Sequence, residues 1–398
     1  MRMQRYGWLL SFVALLAGFG LPAAHAEGAA PEVYTGTLGR QAIVLELTPG
    51  DNAVTAGRYF YVRHHRDIAL SGKLGSDHLQ LHEGWPDDTT GPRATLERQA
   101  DGGWRGSWQD AKGKTLPITL QPAKVASPAA DTPPWLKQLY ASDRYGYLRL
   151  AGLKPQAGKR ETFMGHTLQW WHVPAAGIVF LEILDGYPPA ELARINQVLM
   201  GRMWEEAGSY YECLFNHFND GNYDQTVTPR LLTANLVSVS VFTDYYCGGA
   251  HPDFGDAAIN LDAHTAQPLA LEDLLWVGKG KPLHYFTDAD DNPAPGSASF
   301  EAWSDYRDHH LAPWLVRQWR QFYPKVLSSA LSEDECEYDD PSAWQFVSWH
   351  MTPKGLFIGP SFARVARVCE ANDHWSILPW HIVREHPGRL GVQLLPGS

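Results

Sequence analysis

The sequence predicts an α+β protein: an N-terminal all-β antiparallel meander or small barrel, followed by a disulfide-containing α+β domain. About eight short strand-like segments follow one another between residues 31 and 121, and no segment of helical periodicity interrupts them. Beyond residue 135 helical and strand patterns are mixed, and all four cysteines lie after residue 200. The chain of 398 residues is long enough for two domains. We therefore expect a β domain over 27–121, a linker over 122–135 and an α+β domain over 136–398.

Alternation and turn composition mark the strands of the first domain. Apolar residues alternate with polar ones from Ile43 to Leu47, and Tyr59 to Val62 repeats the pattern. Asp101-Gly102-Gly103 and Lys112-Gly113-Lys114 have the composition of hairpin turns. We expect a meander, closed into a small barrel or strongly curled, with strands near 33–38, 42–47, 57–63, 68–74, 78–83, 93–98, 103–109 and 115–120.

The second domain follows a Pro-, Ala- and Ser-rich stretch that is typical of a linker. A helix should begin at Pro188-Pro189, because Ile195, Leu199 and Met203 recur at three- and four-residue spacing, and it should reach the Cys213 region. In a long strand over 231–246, the valines at 237, 239 and 241 should face the core and the serines between them the opposite side. Residues 136–163 are ambiguous, and a strand over 145–150 that opens the domain is one interpretation. The other expected strands lie at 178–183, 258–261, 344–351, 356–358 and 363–369, and the other helices at 272–276, 313–327 and 378–384.

The N-terminus has the pattern of an export signal. Arg2 and Arg5 precede an apolar stretch over 8–21, Pro22 ends it, and Ala24-His25-Ala26 fits a small-x-small cleavage site. We expect a signal peptide over 1–26 and a periplasmic or secreted protein; an uncleaved anchor is the alternative. No later segment approaches the ~18–20 apolar residues of a membrane span.

Charge and aromatic content limit the classes of partner. The formal charge is −11, and removal of the two N-terminal arginines would leave −13. Such acidity disfavours nucleic acid and anionic membranes as partners and suits a cationic protein. The 16 Trp and 17 Tyr either form sugar- or peptide-binding surfaces or fill β-rich cores, the more common role of aromatic residues.

The four cysteines, Cys213, Cys247, Cys336 and Cys369, favour disulfides. None forms a Cys-x-x-Cys pair, so zinc or thioredoxin-like chemistry has little support. An even number of cysteines in an oxidising compartment indicates disulfide bonds. Three connectivities are possible, and we favour Cys213–Cys247 and Cys336–Cys369 because each pair flanks neighbouring elements.

Residues 235–275 carry the most specific motif. The run FTDYYCGGAH over 242–251 resembles the Tyr-x-x-Gly-Gly-Ala-His loop of the RsiV-like domain family. That family includes the extracellular part of RsiV-type anti-sigma factors and the accessory domains of PdaC-type peptidoglycan deacetylases. Asn260-Leu261-Asp262, Thr265 and the run LALEDL over 269–274 continue the resemblance, which extends loosely over 140–390. Ala266 lies where the family usually has glycine.

The resemblance implies a non-catalytic extracytoplasmic domain, which senses lysozyme in the anti-sigma factors and accompanies cell-wall work in the deacetylases. The Thr-Phe-Asp-Asp-Gly type motif of the deacetylase catalytic domain is absent from the sequence. We therefore expect an exported binding protein of the bacterial cell envelope, whose ligand is a lysozyme-like or other cationic protein or a wall fragment. The alternatives are a wall or glycan hydrolase and a periplasmic immunity-type protein that neutralises an effector.

The ligand-binding candidates are Gly248, Gly249, His251 and Asp253. The glycine pair permits positive φ or close backbone approach, and the histidine and aspartate follow directly. Alternatively, His251 hydrogen-bonds the loop backbone and fixes the turn. One histidine and one aspartate make an incomplete metal site, so we expect no metal and no cofactor.

Other polar clusters give weaker signals. Asp305, Asp308, His309 and His310 are close in sequence, but adjacent histidines on a helix point apart; His64-His65 is similar. Gly359 to Ala363 lacks the last glycine of a Gly-x-Ser-x-Gly elbow, and a hairpin precedes it, so Ser361 is a poor nucleophile candidate. The acidic run over 333–340 fits a solvated loop, or a contact for a cationic protein or Ca²⁺. We expect no catalytic residue.

Overall fold

The computed structural model describes residues 31–50, 54–85, 90–130, 132–216, 221–287, 293–294, 296–328, 336–370 and 375–397. It has the predicted fold class: an N-terminal antiparallel barrel is followed by a mixed α/β region with two disulfides. The expected signal peptide lies outside these residues. No helix within them is both long enough and apolar enough to cross a membrane.

The barrel is a closed eight-stranded meander. Each strand pairs antiparallel with the next, and the first pairs with the last over 34–38 and 118–122. The inward side chains Leu45, Leu79, Leu96 and Trp104 are fully buried, so the interior is a packed core. Its strands are β1 (Glu32–Leu38), β2 (Gln41–Pro49), β3 (Val54–Tyr61), β4 (Asp67–Leu74), β5 (His78–Glu83), β6 (Arg93–Arg98), β7 (Trp104–Gln109) and β8 (Thr115–Pro122).

Two short helices, α1 (Pro134–Ser142) and α2 (Arg144–Leu150), follow the barrel. The expected strand over 145–150 is wrong. The Asp143 carboxylate accepts a hydrogen bond from the Gly146 amide at 2.9 Å and begins a helix there. Tyr145 and Arg149, one turn apart, are both buried.

A three-stranded sheet and a long helix form the first layer of the second region. The sheet consists of β9 (Gln156–Phe163), β10 (His166–Val173) and β11 (Ile178–Ile183), with β10 in the centre. The helix α3 (Pro189–Asn216) begins and extends as expected, and buries Ile195, Leu199 and Met203 against this sheet.

A second sheet carries the Gly-Gly loop. The single strand expected over 231–246 is two strands, β12 (Asn222–Leu232) and β13 (Leu236–Tyr246), joined by a tight turn. The other edge of β13 pairs with β14 (Asp253–Asp256) and β15 (Ile259–Asp262).

Both faces of β13 are buried over 236–241, and the serines are therefore not on an open face. The Ser238 hydroxyl donates to Asn260 Oδ1 at 2.7 Å and accepts from the Met351 amide at 3.0 Å. The valine face packs on α3, whereas the serine face is covered by a later hairpin.

The remaining elements form a second core around Trp319 and Trp344. Arg364–Glu370 is a 3₁₀ segment, so the expected strand over 363–369 is wrong. Arg364 and Arg367 lie on one side of this segment. Arg364 contacts the loop before β14, and Arg367 contacts β14 itself. The helices are α4 (Leu271–Leu274), α5 (Phe300–Tyr306), a π-helical turn (Arg307–Leu311), α6 (Ala312–Phe322), α7 (Pro324–Ser328), a 3₁₀ turn (Pro341–Trp344) and α8 (Trp380–Glu385). The strands are β16 (Ser348–Thr352), β17 (Gly355–Gly359) and β18 (Ile377–Pro379).

A buried ionic network joins the barrel to α2 and α3. Asp67 at the start of β4 pairs with Arg149 and accepts a hydrogen bond from the Tyr145 hydroxyl at 2.6 Å. Arg58 on β3 contacts Glu212 of α3 at 2.8 Å. Burial raises the pKa of Asp67, although the charges of Arg149 and Arg58 oppose this effect.

Candidate functional site

The Gly-Gly loop begins where β13 ends and is anchored at its start by a disulfide. Gly248 and Gly249 have φ values of 92° and 95°, a conformation that L side chains rarely adopt. The Tyr246 hydroxyl donates to the Gly249 carbonyl at 3.0 Å. Cys247 is bonded to Cys213 at the end of α3, as favoured from the sequence. The two glycines therefore shape a turn that is fixed at its base.

Two arginines of the 3₁₀ segment hold the far side of this loop. Arg367 Nε lies 2.8 Å from Asp253 Oδ1, and Arg364 Nη1 lies 3.9 Å from Asp253 Oδ2. The second favoured disulfide, Cys336–Cys369, fixes this segment in turn. Asp253 therefore has a cationic partner within the chain. Sequence reasoning missed both arginines, although their three-residue spacing was a signal for a helical segment.

His251 is held by its backbone. Its carbonyl accepts a hydrogen bond from Arg364 Nη2 at 3.1 Å, whereas its imidazole is exposed. The turn is thus fixed by an arginine that bonds to the main chain, and the side chain faces solvent. The described residues contain no group of three or more His, Cys, Asp or Glu side chains placed to hold a metal ion.

An exposed surface surrounds the loop. Asp224 on β12 and Asp244 on β13 are directly opposite in register, both exposed, and Asp244 is opposite Phe254 of β14. The Phe242 ring lies 5.9 Å from the Phe254 ring, which the Arg367 guanidinium covers at 5.2 Å. We call this surface the loop face; it comprises Asp224, Phe242, Asp244, Phe254, the loop over 248–253 and the segment Arg364–Glu370.

The 3₁₀ segment adds apolar side chains to the loop face. Val365 is 98% exposed and Val368 is 57% exposed, whereas the next residue, Cys369, is buried. Phe242 is 37% exposed. The aspartates add a cost, because like charges directly opposite each other on neighbouring strands are destabilising.

A buried polar cluster adjoins the loop face on the same side of the sheet, where Ser240 and Asp256 meet His350 of β16. The Ser240 hydroxyl donates to Asp256 Oδ2 at 2.9 Å, and His350 Nδ1 lies 3.3 Å from the same oxygen. Burial alone would raise the pKa of Asp256, but the hydrogen bonds and charges of His350, Ser240 and Arg230 outweigh it and lower that pKa. The serine bonds to the aspartate, so this is not the geometry of a nucleophile activated by a histidine. Sequence reasoning missed this cluster.

The other sequence candidates lie elsewhere. His309 Nδ1 lies 3.2 Å from Asp305 Oδ1 and its Nε2 3.7 Å from Asp308 Oδ2, all on the surface of the α5 and π-helical region. His310 faces the Tyr306 ring at 6.2 Å, away from that pair. Ser361 follows β17, and its amide bonds to the Ala343 carbonyl at 2.8 Å.

The two remaining sequence candidates are the pair His64-His65 and the acidic run over 333–340. His65 is buried against the Phe60 ring, whereas His64 is exposed. Within the acidic run, 333–335 lie outside the described residues; Glu337, Asp339 and Asp340 are exposed.

Comparison with known proteins assigns no family. No family model matches the chain, and no curated protein is significantly similar to it.

Proposed function

We propose that this chain is an exported binding protein of the bacterial cell envelope, and that the loop face contacts a cationic protein partner. The observation that carries the proposal is the exposed register pair Asp224 and Asp244 with the exposed Phe242 on the same strand, together with the exposed Val365 and Val368 on the segment whose Arg367 covers Phe254. A protein interface typically has an apolar centre with a charged rim. A lysine or arginine of the partner would relieve the repulsion between the two aspartates, so the charge complementarity favours a cationic occupant.

The geometry of the loop favours binding over catalysis. A general base needs a free acceptor, but the Asp253 carboxylate is paired with Arg367 at 2.8 Å. Burial and the Asp253 charge both raise the pKa of Tyr245, which keeps this hydroxyl protonated. The candidates Gly248, Gly249, His251 and Asp253 therefore act as a shaped contact surface.

The RsiV-like resemblance is consistent with this proposal. Ala266 has a φ of 56°, so the position at which that family usually has glycine is left-handed here too. Two disulfides fit an oxidising compartment, as the signal-like N-terminus over 1–26 requires. Lysozyme, a cationic protein sensed by members of that family, is the representative partner.

Equilibrium binding of lysozyme to the purified protein tests the proposal. We expect binding that weakens about tenfold or more when Val365→Ser is combined with Asp244→Ser, because the variant loses both apolar contact and charge. A matched double variant on the barrel, Val62→Ser with Glu97→Ser, also removes one exposed valine and one exposed carboxylate and should bind as the unaltered protein does. Absence of lysozyme binding, or equal weakening by both double variants, would refute the assignment of the loop face.

A turnover assay separates the hydrolase alternative. Release of products from peptidoglycan by the purified protein, abolished by a single substitution at Ser361, His251 or Asp253, would show that the protein is an enzyme.

A further inference from the structure

One end of the barrel carries a cluster of basic residues. Because successive strands are antiparallel, the β1–β2, β3–β4 and β7–β8 turns lie at the same end. The Gly39 amide donates to the Pro117 carbonyl at 2.7 Å and the Val62 amide donates to the Ala42 carbonyl at 3.0 Å, so the three turns adjoin one another. Of the 12 residues in these turns, which are 39–40, 62–66 and 110–114, five are basic: Arg40, Arg63, Arg66, Lys112 and Lys114.

The positive charges of these turns have little compensation within the chain. Asp110 is the one acidic residue of the three turns, and its Oδ1 accepts the amides of Lys112 and Lys114 at 2.9 and 2.8 Å, which fixes the β7–β8 turn. Among the described residues, no ion pair involves Arg40, Arg63 or either lysine, and all four residues are exposed. Four cationic side chains are therefore available to a partner.

The two described acidic residues where strands reach this end are engaged in the fold. Glu83, at the end of β5, accepts a hydrogen bond from the Tyr59 hydroxyl at 2.6 Å. Asp67, at the start of β4, belongs to the buried ionic network. Asp87 and Asp88, in the fourth connection at this end, lie outside the described residues. The three adjoining turns therefore form a basic surface on a chain whose formal charge is −11.

An exposed apolar side chain lies among these cations. Val62 is 42% exposed and directly precedes Arg63 in the β3–β4 turn. Basic side chains attract anionic lipid headgroups, and an apolar side chain beside them enters the boundary between headgroups and acyl chains. None of the 12 turn residues is Phe, Tyr or Trp, the residues on which single-stranded nucleic acid stacks its bases. The composition therefore favours a lipid surface over nucleic acid. We call this surface the basic end; it comprises Arg40, Val62, Arg63, Lys112 and Lys114.

We infer that the basic end docks on an anionic phospholipid surface. The charge of the whole chain disfavours such a surface, but at 0.1 M salt the Debye length is about 10 Å and exposed charges farther from the lipid are largely screened. The local charge of the basic end then decides. Each Lys or Arg close to an anionic membrane raises the affinity about fivefold, so four of them give weak, salt-dependent docking at millimolar lipid. This inference does not depend on the loop face or on its partner.

The test is co-sedimentation of the purified protein with phosphatidylglycerol vesicles and with phosphatidylcholine vesicles, at about 0.1 M salt. We expect binding to the anionic vesicles only, and its loss at high salt. Lys112→Ser with Lys114→Ser should weaken binding about tenfold or more. The matched control is Lys279→Ser with Lys281→Ser, which removes the same Lys-Gly-Lys pattern from an exposed bend of the second region and should bind as the unaltered protein does. The central glycines of the two patterns have similar φ values, 84° at Gly113 and 75° at Gly280.

Three results would overturn the inference. The first is that phosphatidylglycerol vesicles retain no more protein than phosphatidylcholine vesicles do. The second is that the variant at Lys112 and Lys114, shown to be folded by circular dichroism, binds as well as the control at Lys279 and Lys281. The third is that soluble polyphosphate binds the basic end and the anionic vesicles do not, which would assign the surface to a free polyanion.

Discussion

At the scale of single residues, the candidate loop depends on an ion pair between Asp253 and Arg367 and not on the imidazole of His251. The pair is partly exposed, at 23% and 31% of the two side chains, so solvent screens it. We expect Asp253→Asn to lower the free energy of unfolding by about 1 kcal/mol. His251→Ala should change it by less than about 0.5 kcal/mol, because the Arg364 bond goes to the backbone carbonyl.

Urea denaturation of the two variants measures this difference. Asp244→Asn is the matched control, since it removes an exposed aspartate that faces a like charge and should not destabilise the protein. A larger loss for His251→Ala than for Asp253→Asn would show that the imidazole fixes the turn.

Asp256 gives a pH dependence at the same scale. Its pKa is lowered in the folded state, so the stability it contributes is complete above the usual aspartate pKa of about 3.9 and is lost as the pH falls through the folded value. Asp256→Asn should therefore destabilise the protein by about 1–3 kcal/mol at pH 7 and by progressively less below about pH 4. Denaturation midpoints measured from pH 7 to pH 3 test this, and a pH-independent difference would argue against it.

At the scale of elements, the two disulfides fix the ends of the segments that form the loop face. Cys213–Cys247 ties α3 to the end of β13 across a separation of 34 residues. Replacing both cysteines by alanine should lower the free energy of unfolding by about 2–5 kcal/mol. The barrel contains no cysteine, so the signals of Trp104 and Trp108, two of its three tryptophans, should keep their native values in reductant.

Denaturation with and without reductant checks this prediction. Thiol labelling of the denatured, non-reduced protein that finds four free cysteines would contradict it.

The sequence predicted elements well where one periodicity dominates. The alternation in β2 and β3 and the helical spacing in α3 needed no tertiary information. The pattern of the run Tyr145 to Leu150 is compatible with both a strand and a helix. The hydrogen bond from the Gly146 amide to the Asp143 carboxylate, which caps the helix, favours the helix. The serine face of β13 was misjudged because its cover, β16, lies more than a hundred residues later. The cleft lined by Tyr285, Trp303 and Phe346 was not predictable for the same reason, since its wall comes from four segments that are distant in the sequence.

At the scale of the whole molecule, the barrel is coupled to the second region by charge. Asp67→Ala would leave the buried Arg149 with only its 3.4 Å contact to Glu212, which is 50% exposed, and we expect a loss of about 3–5 kcal/mol in the free energy of unfolding. Adding Arg149→Met should recover much of that loss, since it removes the poorly paired buried charge. Glu212→Gln is the matched control: that side chain is 50% exposed, and the change should cost less than about 1 kcal/mol.

Chemical denaturation of these variants measures the coupling. An Asp67→Ala variant no less stable than Glu212→Gln would show that the network does not hold the two regions together.

We propose that the loop face of the whole molecule recruits a cationic protein by charge complementarity. The most direct measurement is the association rate constant for lysozyme as a function of ionic strength, for the unaltered protein and for Asp224→Ser with Asp244→Ser. Complementary charges accelerate association. At 0.1 M salt the Debye length is about 10 Å, and the attraction between exposed charges that are farther apart is largely screened. We expect the rate constant of the unaltered protein to fall as salt rises, and the double variant to associate more slowly with a shallower salt dependence. Identical salt dependence for the two proteins would contradict it.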